Sequence, residues 1–126
     1  MYEYNAKVTN IIDGDTFDLD IDLGFYIHIH ERVRILNLDT PERRGTKEKE
    51  LGLIVTEYAK RHFLNEDVVI RSKENLTLKT DSFGRWLVEV ILEDGRSIRD
   101  IYTELGANKY VSASYSPEKV LLMKNL

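Results

Sequence analysis

The sequence predicts an α+β fold that is mainly β, a five-stranded Greek-key barrel of the OB type with two to three helices, formed by residues 1–126 as one domain. Three observations lead there. Two stretches near the start alternate apolar and polar residues with period two. A single stretch in the middle repeats at helical spacing. Short β-rich runs and two capped helix starts follow it. With 126 residues, 42% of them apolar, the chain is the size of one domain and can fill one core.

Residues 2–12 are rich in β-formers and are followed by Asp13-Gly14-Asp15, a turn-favouring triplet, so a hairpin is expected. From Thr16 the sequence TFDLDIDL puts Phe17, Leu19, Ile21 and Leu23 on one face and Asp18, Asp20 and Asp22 on the other, a half-buried strand. Residues 26–38 alternate again. Ile27, Ile29, Val33 and Ile35 share one side, and His28, His30, Arg32 and Arg34 the other. Pro41 in Asp39-Thr40-Pro41-Glu42 ends that third strand, because proline brings no ladder donor.

A polar connector, ERRGTKEKELG, leads to Leu51, Ile54 or Val55, Tyr58, Ala59 and Phe63 at the spacing of one amphipathic helix that ends near Leu64. Residues 68–71, 76–79 and 86–92 read as further strands joined by polar turns. Ser97 with Asp100 resembles a capping box for a helix over residues 98–105, which Gly106 stops. Ser116-Pro117-Glu118 starts a last helix, expected to be short and frayed because only eight residues remain beyond Glu118. Internal repeats and low-complexity tracts are absent from the sequence.

Composition removes several function classes. The chain contains no cysteine, which excludes a disulfide framework, a thiolate metal site and a thiol nucleophile. It has neither a secretory start nor an apolar run long enough to span a membrane. A soluble cytoplasmic or otherwise intracellular protein without membrane contacts is expected, with a processed secreted form as the other possibility. A monomer is the expected state. The net charge of −4 argues against coating nucleic acid by bulk electrostatics, yet the charge is uneven. Residues 1–42 hold nine acidic and three basic side chains, whereas residues 43–126 hold thirteen and fifteen. A cation site beside a phosphate-binding surface suits that asymmetry, as does a solvated acidic strand face.

Four pieces carry chemical potential: Ile12-Asp13-Gly14-Asp15-Thr16, Arg34, Asp39-Thr40-Pro41-Glu42 and Asp81-Ser82-Phe83-Gly84-Arg85. In this order, the segments IDGDT, RILNLDTPE and SFGR resemble the signatures of the staphylococcal nuclease family: an I-D-G-D-T turn, an R-x-x-x-x-D-T-P-E strand end and a later G-R pair. The likeness spans about residues 7–111. It implies a calcium-dependent nuclease that hydrolyses phosphodiester bonds of DNA and RNA, with the 5′-oxygen leaving to give 3′-phosphate ends.

Carried onto this sequence, the resemblance makes Asp15, Asp39 and the backbone carbonyl of Thr40 the Ca2+ ligands. Such hard oxygen donors suit calcium and leave coordination sites for water and a phosphate oxygen. It makes Glu42 the carboxylate that activates or positions the attacking water, and Arg34 and Arg85 the phosphate-clamping guanidiniums. Phe83, Tyr110 and Tyr115 become candidate substrate-binding residues, the tyrosines by stacking on bases. Departures are Ser82 and Phe83, where the family carries basic and tyrosyl residues, a shorter connector after Glu42, and a brief C-terminus.

Three other readings stand beside this one. A catalytically silent nucleic-acid- or protein-binding module on the same fold conflicts with the retention of Asp15, Glu42 and Arg85. A cation buffer built on Asp18, Asp20 and Asp22 conflicts with the divergence of alternate strand residues from one coordination sphere. A zinc site on His28 and His30 lacks an evident third ligand, since His62 belongs to the helix.

Overall fold

The computed structural model describes residues 2–45, 47–72 and 85–126. Its strands are β1 (Tyr2–Asp13), β2 (Thr16–Gly24), β3 (Ile27–Ile35), β4 (Asp67–Ser72) and β5 (Trp86–Leu92). They form a closed barrel in the order β1-β2-β3-β5-β4. Every pairing is antiparallel except that of β3 with β5, where Val33, Arg34 and Ile35 run alongside Trp86, Leu87 and Val88. Helix α1 (Lys49–His62) lies between β3 and β4 in the chain, while α2 (Ile98–Glu104) and α3 (Pro117–Leu122) follow the last strand. The mainly β, five-stranded barrel with three helices is the expected fold.

Closure depends on β1, which is long enough to pair along β2 and, through residues 2–7, with β4. Register shifts between Val8 and Asn10 and between Ile11 and Asp13 bend it. The first shift changes which residue parity faces inward, so Ala6, Val8 and Ile11 are all buried. They meet Phe17, Leu19, Ile21, Val33, Ile35, Val68, Ile70, Val88 and Val90 in one core. Helix α1 adds Val55, Tyr58 and Ala59, followed by Phe63, and α2 adds Ile98, Ile101 and Tyr102. The choice between Ile54 and Val55 is thereby settled, because Val55 is fully buried and Ile54 only partly so.

The alternating strands overshoot the barrel. Leu23 and Ile27 belong to the apolar faces predicted for β2 and β3, yet they are exposed, together with Phe25 and Tyr26 at the hairpin tip. Past the Ile21–Ile29 pair the two strands still pair with each other, at Asp22–His28 and Gly24–Ile27, but their apolar side chains stand outside the core. β3 also stops at Ile35, three residues before the predicted end at residue 38, in a turn where Asn37 takes a φ of 57°.

The last helix is short, as expected, but docked and not frayed. Ser116 Oγ caps α3 by accepting the Lys119 N–H at 3.2 Å. Val120 and, in the 3-10 turn that follows, Met123 are fully buried. Arg61 Nη2 donates to the Met123 carbonyl at 3.1 Å, and His62 Nε2 lies 2.7 Å from that of Leu126. Ser97 caps α2 by accepting the Asp100 N–H at 3.3 Å, as its sequence pattern predicts. The strand expected over residues 76–79 lies outside the described residues. Among the described residues, no helix is long and apolar enough to cross a membrane.

Candidate active site

Two glycines allow three segments to meet at one end of the barrel. The β1–β2 turn carries Gly14, where an added Cβ would strike the Val55 side chain and approach Thr40 Oγ1 to 2.6 Å. In α1, Gly52 lies so close to the Glu42 and Arg43 backbone that a Cβ would overlap it. The first turn of α1 is therefore packed backbone to backbone on the loop after β3, and the β1–β2 turn sits directly on the Thr40 and Val55 side chains. Further ties are the Ile35 N–H to the Asp15 carbonyl at 2.9 Å and the Thr40 N–H to Asp15 Oδ2 at 3.1 Å.

Asp15 is buried under this junction. Oδ1 accepts the Thr16 hydroxyl at 2.9 Å, and Oδ2 lies 3.3 Å from Arg34 Nη2. Burial first, and then the neighbouring Asp13 carboxylate, push the Asp15 pKa up to about 6. Arg34 and the Thr40 N–H oppose that shift only in part. The Arg34 guanidinium bridges outward to Asp39 Oδ1 at 3.5 Å and donates to the Leu38 carbonyl at 3.3 Å. Arg85, one residue before β5, reaches the same corner and donates through Nη1 to Thr16 Oγ1 at 3.3 Å. Residues 51 positions apart in sequence, Arg34 and Arg85, thus flank the Asp15–Thr16 pair.

These side chains line an open cleft of about 530 Å³ with Asp13, Thr40, Glu42, Arg43 and Arg44. All six site residues expected on the β1–β2 turn, the end of β3 and the start of β5 (Asp15, Arg34, Asp39, Thr40, Glu42 and Arg85) border it. Phe83 lies outside the described residues. Tyr110 and Tyr115 are absent from the cleft wall. Tyr110 is largely exposed, and Tyr115 packs against the core, where burial and then the Glu48 charge raise its phenol pKa.

The donor set suits a hard divalent cation. It offers two carboxylates and the Thr40 carbonyl, and the Asp15 carboxylate is buried beside a second negative charge that a bound cation would offset. Both contacts to Arg34 are longer than the roughly 2.7–2.9 Å of a tight charge-assisted bond. Among the described residues, no group of three or more His, Cys, Asp or Glu side chains is arranged to hold a metal ion. The candidate set has only two such side chains and relies on a backbone oxygen. Elsewhere, Asp18 forms an ion pair with Arg32 at 2.8 Å, Asp20 lies 3.0 Å from His28 Nδ1, and Asp22 accepts the Gly24 N–H at 2.8 Å, so each acidic side chain of that strand face has its own partner.

Sequence reasoning missed the residues that hold the loop. Asn108 is fully buried after α2, and its Oδ1 accepts the N–H of Asp39 at 3.1 Å and of Tyr110 at 3.0 Å. Its Nδ2 donates to the Asn37 carbonyl at 3.1 Å and to Thr103 Oγ1 at 3.0 Å. Beside it, Lys109 donates its N–H to the Asp39 carbonyl at 2.7 Å and its Nζ to Glu48. A polar Asn-Lys pair in a loop has no periodicity that announces such a role.

Residues 32–122 match a family model described as staphylococcal nuclease homologue. That span runs from β3 through α3 and includes Arg34, Asp39, Thr40, Glu42 and Arg85, but begins after Asp15. No curated protein matches the chain.

Proposed function

The chain belongs to the staphylococcal nuclease family, and from that premise we propose that it is a calcium-dependent nuclease hydrolysing phosphodiester bonds of DNA and RNA. The observation that carries this reading is the convergence of Asp15, Asp39, Glu42, Arg34 and Arg85 on one open cleft from separate elements. A silent binding module has no need for that combination. Asp15, Asp39 and the Thr40 carbonyl would hold Ca2+, which when bound supplies Lewis-acid polarisation of a phosphate oxygen.

The chain's own residues do the rest. Arg34 on β3 and Arg85 just ahead of β5 present planar donors, suited to the negative charge that gathers on the phosphoryl oxygens as water attacks. Glu42 accepts the proton of that water, or aligns it, from the loop edge of the cleft. Departure of the 5′-oxygen leaves a 3′-phosphate. Arg43 and Arg44, on the cleft wall, add positive charge along the path of the flanking phosphates. Phe83 is a substrate-binding residue in this scheme, and Tyr110 and Tyr115, which are not on the cleft wall, stack on bases.

The test is cleavage of DNA and RNA by wild type and Glu42→Gln in calcium, in magnesium and in excess chelator. Expected are activity with calcium, none with chelator, and a steep loss of kcat in Glu42→Gln with nucleotide binding preserved. Unchanged activity in chelator rejects the metal mechanism. Binding without cleavage by either protein over a broad pH range makes the domain a silent binding module.

A further inference from the structure

The loop Asp39-Thr40-Pro41-Glu42 is held at its two ends by a linked pair of residues, Lys109 and Glu48. At its start, the Lys109 N–H donates to the Asp39 carbonyl at 2.7 Å. At its end, the Glu42 N–H donates to Glu48 Oε2 at 3.2 Å. The same Glu48 carboxylate receives Lys109 Nζ on both oxygens, at 3.1 and 2.9 Å. Lys109 therefore touches Asp39 with its backbone and Glu42 through one intervening carboxylate.

Glu48 occupies the N-cap position of α1, where a side chain commonly accepts an N–H of its own helix. Here it makes no such bond and is turned instead across the connector toward Glu42 and Lys109. A capping interaction is forgone for a cross-link between segments 61 residues apart. The two side chains are 30% and 25% exposed, sheltered enough for the geometry to be kept without the full cost of a buried ion pair. Lys109 lowers the Glu48 pKa, and although burial opposes the charge on Lys109, Glu48 raises the lysine above its ordinary value.

We propose that Glu48 and Lys109 are positioning residues that clamp the Glu42 end of the loop in register with its Asp39 end. This rests on the reading of Glu42 as the water-handling carboxylate. A glutamate reaches its target through three side-chain torsions, so its aim depends on a fixed backbone. Loss of about an ångström of register can cost roughly a hundredfold in rate. Asn108 secures the Asp39 amide, and the clamp supplies the corresponding restraint at Glu42.

The test compares wild type with Lys109→Met, Lys109→Arg and the exchanged pair Glu48→Lys/Lys109→Glu. The readouts are kcat and KM in calcium, melting temperature, and hydrogen exchange of the Glu42 amide in the free protein. Lys109→Met is expected to lower kcat by roughly ten- to a hundredfold with KM nearly unchanged. It should also speed Glu42 amide exchange by about tenfold or more. Lys109→Arg keeps the cation and should recover most of both. The exchanged pair restores the attraction between the two side chains but puts an ammonium where the Glu42 N–H needs an acceptor. It should regain thermal stability without regaining turnover or amide protection.

If the exchanged pair recovers all three, the contact is a structural ion pair and the clamp is overturned. Wild-type turnover and exchange in Lys109→Met overturn it equally. Should the wild type cleave nothing, the nuclease reading fails, while exchange at Glu42 still decides the clamp.

Discussion

Asp15, Arg34 and Arg85 show how single residues acquire their chemistry from position. The carboxylate of Asp15 carries its charge against burial and against Asp13, and the Arg34 guanidinium spans it and Asp39. Lysine at position 34 or 85 would keep the charge and lose the planar pair of donors. Arg34→Lys and Arg85→Lys are therefore each expected to slow turnover a hundredfold or more, in line with the ~2.7–4 kcal/mol lost with one preorganised donor. Rates near wild type in variants that melt normally would remove that arginine from the reacting set. These residues were legible in the sequence because the surrounding motifs, IDGDT, DTPE and GR, are short and local. Asn108 and Lys109 were not, because their partners at Asn37, Asp39 and Glu48 are distant in the chain and their contacts are largely to backbone.

Among the elements, α1 is the wall against which the loop after β3 is set. Its apolar stripe, with Val55, Tyr58 and Ala59 buried, follows from helical periodicity. What periodicity does not reveal is why Gly52 interrupts it. Replacing a helical glycine by alanine ordinarily stabilises by roughly 0.5–1 kcal/mol. At position 52 the new Cβ would overlap the Glu42 and Arg43 backbone, which cannot swing aside as a flexible side chain would. Gly52→Ala is expected to destabilise by about 1–3 kcal/mol, the scale of overpacking, in urea unfolding. It should also reduce turnover, since Glu42 is what it displaces. A gain in stability would show that the loop and helix separate easily. Strand β3 teaches the complementary lesson: its alternation is real from Ile27 onward, but only Val33 and Ile35 of its apolar positions reach the sealed core. Alternation reports a face, and burial depends on what lies opposite.

For the molecule as a whole, the barrel is closed by β1 pairing with β4, and the C-terminal segment is part of its packing. Met123, three residues before Leu126, is fully buried. Met123→Ala is expected to cost about 2–5 kcal/mol by opening a cavity, whereas a frayed end would tolerate it with a change under about 0.5 kcal/mol. The unfolding midpoint in urea distinguishes the two. By itself the sequence determined the mainly β class, the first hairpin, the amphipathic helix, both serine caps and the short motifs of the site. Each of these is written in neighbouring residues, through side-chain period, turn chemistry or fixed spacing. Tertiary structure alone decided the strand order with its parallel β3–β5 contact, the docking of the C-terminal turn on Arg61 and His62, and the meeting of Arg85 with Thr16 and of Lys109 with Asp39 and Glu48. Those contacts join residues far apart in the chain through backbone groups and single polar side chains, which carry no periodic signature and acquire partners only when the barrel closes.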